Sequence, residues 1–212
     1  TMTATPTFDV QANANLTTGI IGAATFGINK TGAGTLTTNQ ANTFNGAVTI
    51  SSGIYSTNNL ANGGANSGVG SSASAIGNLV LDGGTLQYTG AVATVNRILT
   101  LTQNGGGLDA SGSAALTLSD TTAMGLTGSG ARTLTLTGTN TGNNALLAII
   151  GDEGANATSI AKTGAGRWVL GGINTFTGGV SVSGGNLLAS KEALNTGAAN
   201  AITLSGGSLD LR

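Results

Sequence analysis

The side chains that could perform chemistry are few in this sequence of 212 residues. Its charged groups are seven lysines and arginines and eight acids, and it contains neither histidine nor cysteine. A Ser-His-Asp or Cys-His catalytic centre is therefore excluded, as is a thiolate metal site. Paired carboxylates could still cleave a glycosidic bond. The candidates are Asp9, Asp82, Asp109, Asp120, Asp152, Glu153, Glu192 and Asp210.

These acids are poorly spaced for catalysis. Only Asp152 and Glu153 are adjacent, and neighbouring residues of a strand point to opposite faces. Asp82 precedes two glycines and is predicted to cap a turn. We therefore predict no enzyme activity, and no catalytic, cofactor-binding or metal-binding residues.

Three glycine-rich stretches are similar to ligand-binding motifs but do not complete them. Gly105–Asp109 resembles part of a calcium-binding nonapeptide, but it occurs once, and its single acid cannot supply the six to eight oxygens that calcium takes. The sequence Thr-Gly-Ala-Gly at 31–34 and 163–166 lacks the Gly-Lys-Ser/Thr and the helix of a phosphate-binding loop. We interpret all three as turns.

Three further kinds of residue could bind a ligand, and each has a plainer interpretation. Lys30 and Lys162 precede equivalent turns and are predicted to be surface lysines that discourage edge pairing. Phe44 and Phe176 occupy equivalent positions and are predicted to stack as a core ladder rather than to bind sugar. Trp168 is assigned to the core, with an exposed platform as the alternative.

The composition restricts the classes of partner. The net charge is -1, only 7% of residues are charged, and there are 37 glycines and one proline. The chain thus has no basic face for nucleic acid and no polybasic patch for a membrane. No apolar run reaches the roughly 18 residues of a membrane helix, since the longest, Ala145–Gly151, is strand-sized. Nothing near Thr1 resembles a signal peptide, and the alternating pattern at Arg212 suggests a piece of a longer chain.

Two long segments of the chain are copies of one another, and internal repeats decide the architecture. Residues 28–58 read INKTGAGTLTTNQANTFNGAVTISSGIYSTN, and residues 160–190 read IAKTGAGRWVLGGINTFTGGVSVSGGNLLAS. The copies continue into NLVLDGGTLQYTG at 78–90 and AITLSGGSLDL at 201–211. Each copy consists of short alternating segments, typical of strands, separated by glycine turns.

About fourteen such strand signals and no convincing helix predict an all-β chain. Residues 1–27 are irregular and are predicted to form an N-terminal turn or cap, followed by one continuous solenoid over 28–212 with related units at 28–90 and 160–211. Leu60–Ala75 has no apolar period and is predicted to be an extruded Gly/Ser/Asn loop. A single turn could not fold alone, because its ordering entropy exceeds what its few aliphatic side chains contribute. Stacking roughly nine turns solves this, so we predict a parallel β-helix.

The motifs of the second copy are similar to a known family. Its KTGAG, NTFTGG and VSVSGGNLL segments resemble the autotransporter-associated β-strand repeat, also called the passenger-associated transport repeat. The matching residues are Lys162, Gly164, Gly166, Trp168, Leu170, Gly172, Asn174, Thr175, Phe176, Gly178, Val180, Val182, Gly185 and Leu187. The first copy departs from the pattern at Asn39 and Gln40. The resemblance implies a right-handed parallel β-helix on the outside of a bacterium.

Two hypotheses about function follow. The first is a structural one: an extracellular fibre or passenger-stalk segment that self-associates end to end, because an open β-helix end exposes unpaired strands. The alternative is an adhesin that binds glycan or neighbouring cells through Leu60–Ala75 and Thr139–Thr158. Both hypotheses place the chain outside the cell or at its surface, without membrane insertion of this segment and without a nucleic-acid partner.

Overall fold

The computed structural model describes residues 4–22, 25–195 and 200–212 of the chain. These residues form 21 strands in three parallel sheets, and no helix occurs among them. Each sheet is one face of a β-solenoid with nine turns, because the middle sheet contributes one strand to every turn. The predicted all-β parallel β-helix is confirmed.

The three faces are defined by their strands. The first face contains β1 (Thr7–Asp9), β3 (Ile28–Thr31), β5 (Val48–Ile50), β7 (Leu79–Leu81), β10 (Thr100–Thr102) and β13 (Gly125–Thr127). The second face contains β2 (Asn15–Thr17), β4 (Thr35–Thr37), β6 (Ile54–Thr57), β8 (Thr85–Tyr88), β11 (Gly106–Ala110), β14 (Arg132–Thr137), β16 (Thr158–Lys162), β18 (Val180–Val182) and β20 (Ile202–Leu204). The third face contains β9 (Ala93–Val95), β12 (Leu116–Leu118), β15 (Asn144–Leu146), β17 (Arg167–Leu170), β19 (Asn186–Ala189) and β21 (Ser208–Leu211).

The core is a column of aliphatic side chains, as the alternation predicts. In β5, Val48 and Ile50 are fully buried while Thr49 between them is partly exposed. Val48 pairs with Leu79 of the next turn and Ile50 pairs with Leu81. Each turn therefore places its apolar side chains directly over those of its neighbour, and burial of each contributes about 1.5–3 kcal/mol.

The corner of the KTGAG segment needs glycine for a conformational reason. Gly32 has a φ of 71° and its counterpart Gly164 a φ of 64°, a left-handed region that costs little only for glycine. Space is also short, because a Cβ on Gly32 would lie 2.3 Å from the carbonyl oxygen of Val10 in the preceding turn. The corner is thus fixed by backbone contact between turns.

The two copies of the repeat occupy different faces of the rod. In the first copy the two strands around the corner are β3 on the first face and β4 on the second; in the second copy they are β16 on the second face and β17 on the third. The segments that come after each copy are shifted in the same way. β7 and β8 lie on faces one and two, whereas β20 and β21 lie on faces two and three. The repeat is therefore rotated by one face between its copies.

The aromatic residues lie in the core. Phe44, Phe176 and Trp168 are fully buried, which confirms that these residues form core rather than an exposed platform. Trp168 donates its indole N–H to the carbonyl oxygen of Thr137 at 2.7 Å. Phe44 stacks on Phe26, with ring centroids 6.2 Å apart.

Two segments expected to be recognition loops are partly built into the wall. Within Leu60–Ala75, the four residues from Ser67 to Gly70 are buried, so this segment does find a place against the core despite its lack of an apolar period. Thr139–Thr158 contains β15, and its Ala148 and Ile150 are buried. The second of these segments is thus mostly wall, and the expectation of a free loop there is wrong.

The division into a cap over 1–27 and a solenoid over 28–212 stays a prediction. Residues 1–3 and 23–24 of the predicted cap, and residues 196–199 of the second unit, lie outside the described residues. In the described part of the cap, β1 pairs with β3 and β2 pairs with β4. The stack of parallel strands therefore includes this region.

Candidate functional site

The two lysines of the repeat are buried, which contradicts the prediction of surface lysines. Lys30 and Lys162 are both 0% exposed. The Nζ of Lys30 donates to the carbonyl oxygens of Thr31 at 2.6 Å and Gly32 at 2.8 Å, and to that of Ser52 in the next turn at 3.2 Å. Each ammonium group thus closes its own corner and ties it to the following turn.

Lys162 repeats this arrangement 132 positions later. Its Nζ donates to the carbonyl oxygen of Thr163, to that of Gly164 at 2.9 Å and to that of Gly184 in the next turn at 2.9 Å. Burial disfavours the charged form and lowers the pKa of Lys162 to about 8, and burial likewise lowers the pKa of Lys30, with Asp9 opposing that shift. Three carbonyl dipoles hold each ammonium group against this cost.

The asparagine of the NTF segment joins three successive turns. Asn42 accepts the N–H of Ile21 in the preceding turn at 2.8 Å and donates to the carbonyl oxygen of Gly68 in the following turn at 3.1 Å. Asn174 does the same with Ile150 at 2.8 Å and Ala193 at 2.6 Å. Both side chains are nearly fully buried. They supply, on the side of the turn that has no regular strand, the hydrogen bonds that a strand would make.

Arg97 holds the segment Leu60–Ala75 against the wall. Its guanidinium is 3% exposed and donates to five backbone carbonyls and two hydroxyls. The acceptors are the carbonyl oxygens of Ala61, Asn62, Ala65, Gly70 and Ser72 and the hydroxyl oxygens of Ser67 and Ser72. All seven lie in the segment, so one side chain organises its shape.

The acids serve as caps and cross-links between turns. Asp82 accepts from the hydroxyl of Thr102 and the amide of Asn104 at 2.6 and 2.8 Å. Asp152 accepts the backbone N–H of Thr158 at 2.7 Å and the hydroxyl of Thr177 at 2.6 Å. Among the described residues no group of three or more acids gathers as metal ligands would. The absence of catalytic residues stays a prediction.

The last turn of these 212 residues has apolar side chains that no other described residue covers. Ile202, Leu204 and Leu211 are 38%, 54% and 54% exposed, although their counterparts one turn earlier, Val180, Val182 and Ala189, are buried. β20 and β21 are the edge strands of their sheets. Within these 212 residues nothing described covers the last turn, and the expectation that such a turn takes part in end-to-end stacking stays a prediction.

Membrane-spanning helices are absent from the described parts of the chain. Comparison with known proteins then identifies the repeat. A family model described as Passenger-associated-transport-repeat matches residues 28–54 and 160–189. The two matched segments are the two copies of the internal repeat. Each passenger-associated-transport repeat includes one buried lysine and one bridging asparagine: Lys30 with Asn42, and Lys162 with Asn174.

A curated relative is the "Adhesin BmaC autotransporter" of Brucella suis biovar 1 (strain 1330), which is 42% identical over 134 residues. The match covers 62% of this chain and 4% of the relative, so the chain spans a small part of the protein that it matches. No solved structure matches the chain. The repeat and the relative indicate a passenger segment located outside the cell or at the bacterial surface.

Sequence reasoning identified the repeat but missed what its polar residues do. The signal was available, because a lysine and an asparagine return at the same position in both copies. A residue that only faces solvent has no reason to keep both its type and its place relative to a corner. A recurring long polar side chain beside a glycine corner therefore indicates a bond to the backbone of neighbouring turns.

Proposed function

We propose that this chain is a structural segment of a passenger stalk and that its last turn is covered by a further β-helix turn, either of the same longer chain or of a second copy. The observation that carries the proposal is the exposed final turn, with Ile202, Leu204 and Leu211 uncovered beside two edge strands. Covering these side chains would contribute about 25 cal/mol for each Å² of apolar surface removed from water. Pairing β20 and β21 would also satisfy their free backbone groups.

The first turn of a second copy contains two strands that could complete this contact. The last turn presents strands on faces two and three, whereas the first turn presents β1 and β2 on faces one and two. A second copy rotated by one face brings β1 onto β20 and β2 onto β21. The inward residues Phe8 and Leu16, of which Leu16 is 41% exposed, would then cover the open aliphatic core. Such a head-to-tail contact does not close on itself, so it produces filaments.

Electron microscopy of negatively stained protein, combined with light scattering, tests this function. We expect unbranched fibres from the native chain and short rods from the double variant Leu204→Lys/Leu211→Lys, because two charges in the contact cannot be paired. Val92→Lys and Ile173→Lys are matched controls, since these side chains are 73% and 71% exposed but belong to inner turns. A native chain that stays monomeric at high concentration, or fibres that persist in the double variant, would contradict self-association.

Adhesion is the second candidate function, and the ordered segment Leu60–Ala75 favours it. Its exposed residues include Asn62 and Gly64–Asn66, while Arg97 holds the base of the same segment through seven hydrogen bonds. A loop that is already ordered loses less conformational entropy on binding. The relative is named an adhesin, and we extend that role to this segment for recognition of glycan or neighbouring cells.

The Arg97→Gln variant tests adhesion through this segment. The shorter side chain cannot reach all seven acceptors, so we expect the tip to lose its shape and adherence to cultured cells to fall severalfold. Arg167→Gln is the control, because Arg167 is a partly exposed arginine whose acidic partner, Asp210, lies 3.7 Å away. Circular dichroism verifies that both variants keep the β-helix. Equal adherence of Arg97→Gln and native protein, or no adherence by the native protein, would reject this function.

A further inference from the structure

A groove runs along the outer surface of the second face, away from the segment Leu60–Ala75. Its wider part encloses about 490 Å³ and its narrower part about 220 Å³. Thr133 and Ser159 line both parts, so the groove is continuous. It extends from β8 in the fourth turn to β20 in the ninth, which at ~4.8 Å for each strand step is roughly 24 Å.

The groove exists because this face carries only small outward side chains. The register places Gly107 between Thr85 and Thr135, and Ser159 opposite Thr133. Towards the end of the rod, Ser181 pairs with Thr203. Two parallel rows of glycine, alanine, serine and threonine result. The surface between them is concave; it is mostly polar in the wider part and more apolar in the narrower part, which Ile160 and Val180 also line.

Hydrogen-bonding groups of the groove are free to bind a ligand. In the described structure the hydroxyls of Thr85, Thr133, Thr135 and Ser159 have no side-chain hydrogen bond. Gln103 uses its carbonyl oxygen to accept the N–H of Ser129, which leaves its amide donor available. Asn104 uses its amide to donate to Asp82, which leaves its carbonyl oxygen available. Hydroxyls, one amide donor and one amide acceptor thus lie side by side.

Arg132 lines the wider part of the groove and holds its wall in place. It is 3% exposed and donates four hydrogen bonds to backbone carbonyls of Leu101, Thr127, Gly128 and Gly130. Its Nε–H nevertheless has no acceptor in the described structure. This nitrogen has almost no exposed surface, so a ligand in the groove does not contact it, and Arg132 contributes to the groove only by fixing the backbone around it.

The charge distribution determines which ligands the groove can accept. Lys30, Arg97, Arg132 and Lys162 are buried, which leaves three of the seven positive side chains on the outside. All eight acids are at least partly exposed. The outer surface is therefore negative and repels acidic polymers. A peptide is also a poor fit, because the strands beneath the groove are paired on both sides from β8 to β18 and cannot add another strand.

We propose that this groove binds an uncharged oligosaccharide lying along the axis of the rod. Sugar hydroxyls are donors and acceptors at once, so they match the threonine and serine hydroxyls and the amides of Gln103 and Asn104. The described residues that line the groove include no aromatic side chain, and hydrogen bonds formed there are exposed to water. Each site is therefore weak, and successive sugars contribute together along the length of the groove.

Glycan-array binding and titration calorimetry with neutral oligosaccharides test the proposal on the full chain. The variant Thr133→Ile/Ser159→Leu fills the junction of the two parts and removes two hydroxyls, and we expect it to lower affinity by about tenfold or more, as expected for two lost hydrogen bonds. Thr117→Leu is the matched control, because Thr117 is an outward threonine of β12 on the third face. Its affinity should equal that of the native protein.

The possible outcomes separate this proposal from those made above. Loss of binding in the groove variant alone supports the groove. Binding of neutral oligosaccharide that survives in the groove variant but is lost in Arg97→Gln would assign recognition to the segment Leu60–Ala75 and overturn the groove. A native chain that binds no neutral oligosaccharide, or that prefers acidic ones, also overturns it, whereas fibre formation by the same sample would leave the stalk function intact.

Discussion

Lys30 and Lys162 lie inside the corners of the β-helix, where amide carbonyls take the place of carboxylate partners. A single carbonyl carries only a partial charge, but three of them converge on each Nζ. One of the three bonds of each lysine links residues 22 positions apart, which is one turn of the rod. The lysine therefore strengthens the contact between neighbouring turns at the point where glycine provides no side chain to pack.

Replacing Lys162 by methionine should lower the free energy of unfolding by about 1–3 kcal/mol at neutral pH, because three carbonyls lose their donor. Lys191→Met is the matched control, since Lys191 is exposed and should change stability by less than about 0.5 kcal/mol. Denaturant titration followed by the fluorescence of Trp168, the single tryptophan of the chain, measures both. Equal stability of the two variants would refute the role given to Lys162.

The same pair of proteins yields a pH test with a defined sign. Burial lowers the pKa of Lys162 to about 8 from an ordinary value of 10.5, so between these values the unfolded chain binds more protons than the folded one. Stability from this group therefore rises as the pH increases from about 8 to 10.5. The difference in unfolding free energy between native protein and Lys162→Met should widen over that window.

At the scale of elements, the sequence predicts the sheets well and the connections poorly. Alternation in segments such as VTI and LVL identifies strands, because every second side chain must enter the core. The structure has 21 strands against about fourteen predicted, since many have three residues, too few for alternation to stand out. The stacking of short turns accounts for the three faces and the nine turns. The right-handed sense of the β-helix was implied only by the family resemblance.

The segment Leu60–Ala75 explains why the connections were harder to predict. Its sequence, LANGGANSGVGSSASA, has one β-branched apolar residue, Val69, which is buried. What holds the segment is Arg97, 22 or more residues further along the chain. Hydrogen bonds from one distant arginine to backbone carbonyls require no periodic pattern of side chains in the segment itself. Asn42 and Asn174 were missed for the same reason, since their partners are backbone groups of other turns.

For the whole molecule, the burial of charged side chains and of phenol groups determines how stability changes at alkaline pH. The chain has two tyrosines, and both are buried: Tyr55 donates to the carbonyl oxygen of Gly68 at 2.9 Å and Tyr88 to that of Ala91 at 2.8 Å. Burial raises the pKa of Tyr55 and of Tyr88 above the ordinary value of 10. The stability that these groups contribute is complete below that value and is lost as the pH rises above it.

We therefore expect neither tyrosine to ionise near pH 10 while the β-helix is intact. Ultraviolet absorbance of tyrosinate and circular dichroism, followed together as the pH is raised, should change in one transition well above that value. A denaturant-unfolded sample is the control and should titrate near 10. If the tyrosinate absorbance changed near pH 10, before the β structure was lost, one of the phenols would be open to water.

The rotation of the repeat by one face has a consequence for how a longer rod meets its surroundings. The corner of the first copy lies between faces one and two, and that of the second copy between faces two and three. The residues between the copies thus act as a spacer. They determine the angular position of the second copy around the rod axis as well as its distance along that axis. If further intervals of the same kind followed, the repeats would form a spiral and return to their starting direction after three intervals. A stalk built in this way has no preferred side, so a surface approaching from any direction would meet the same groups.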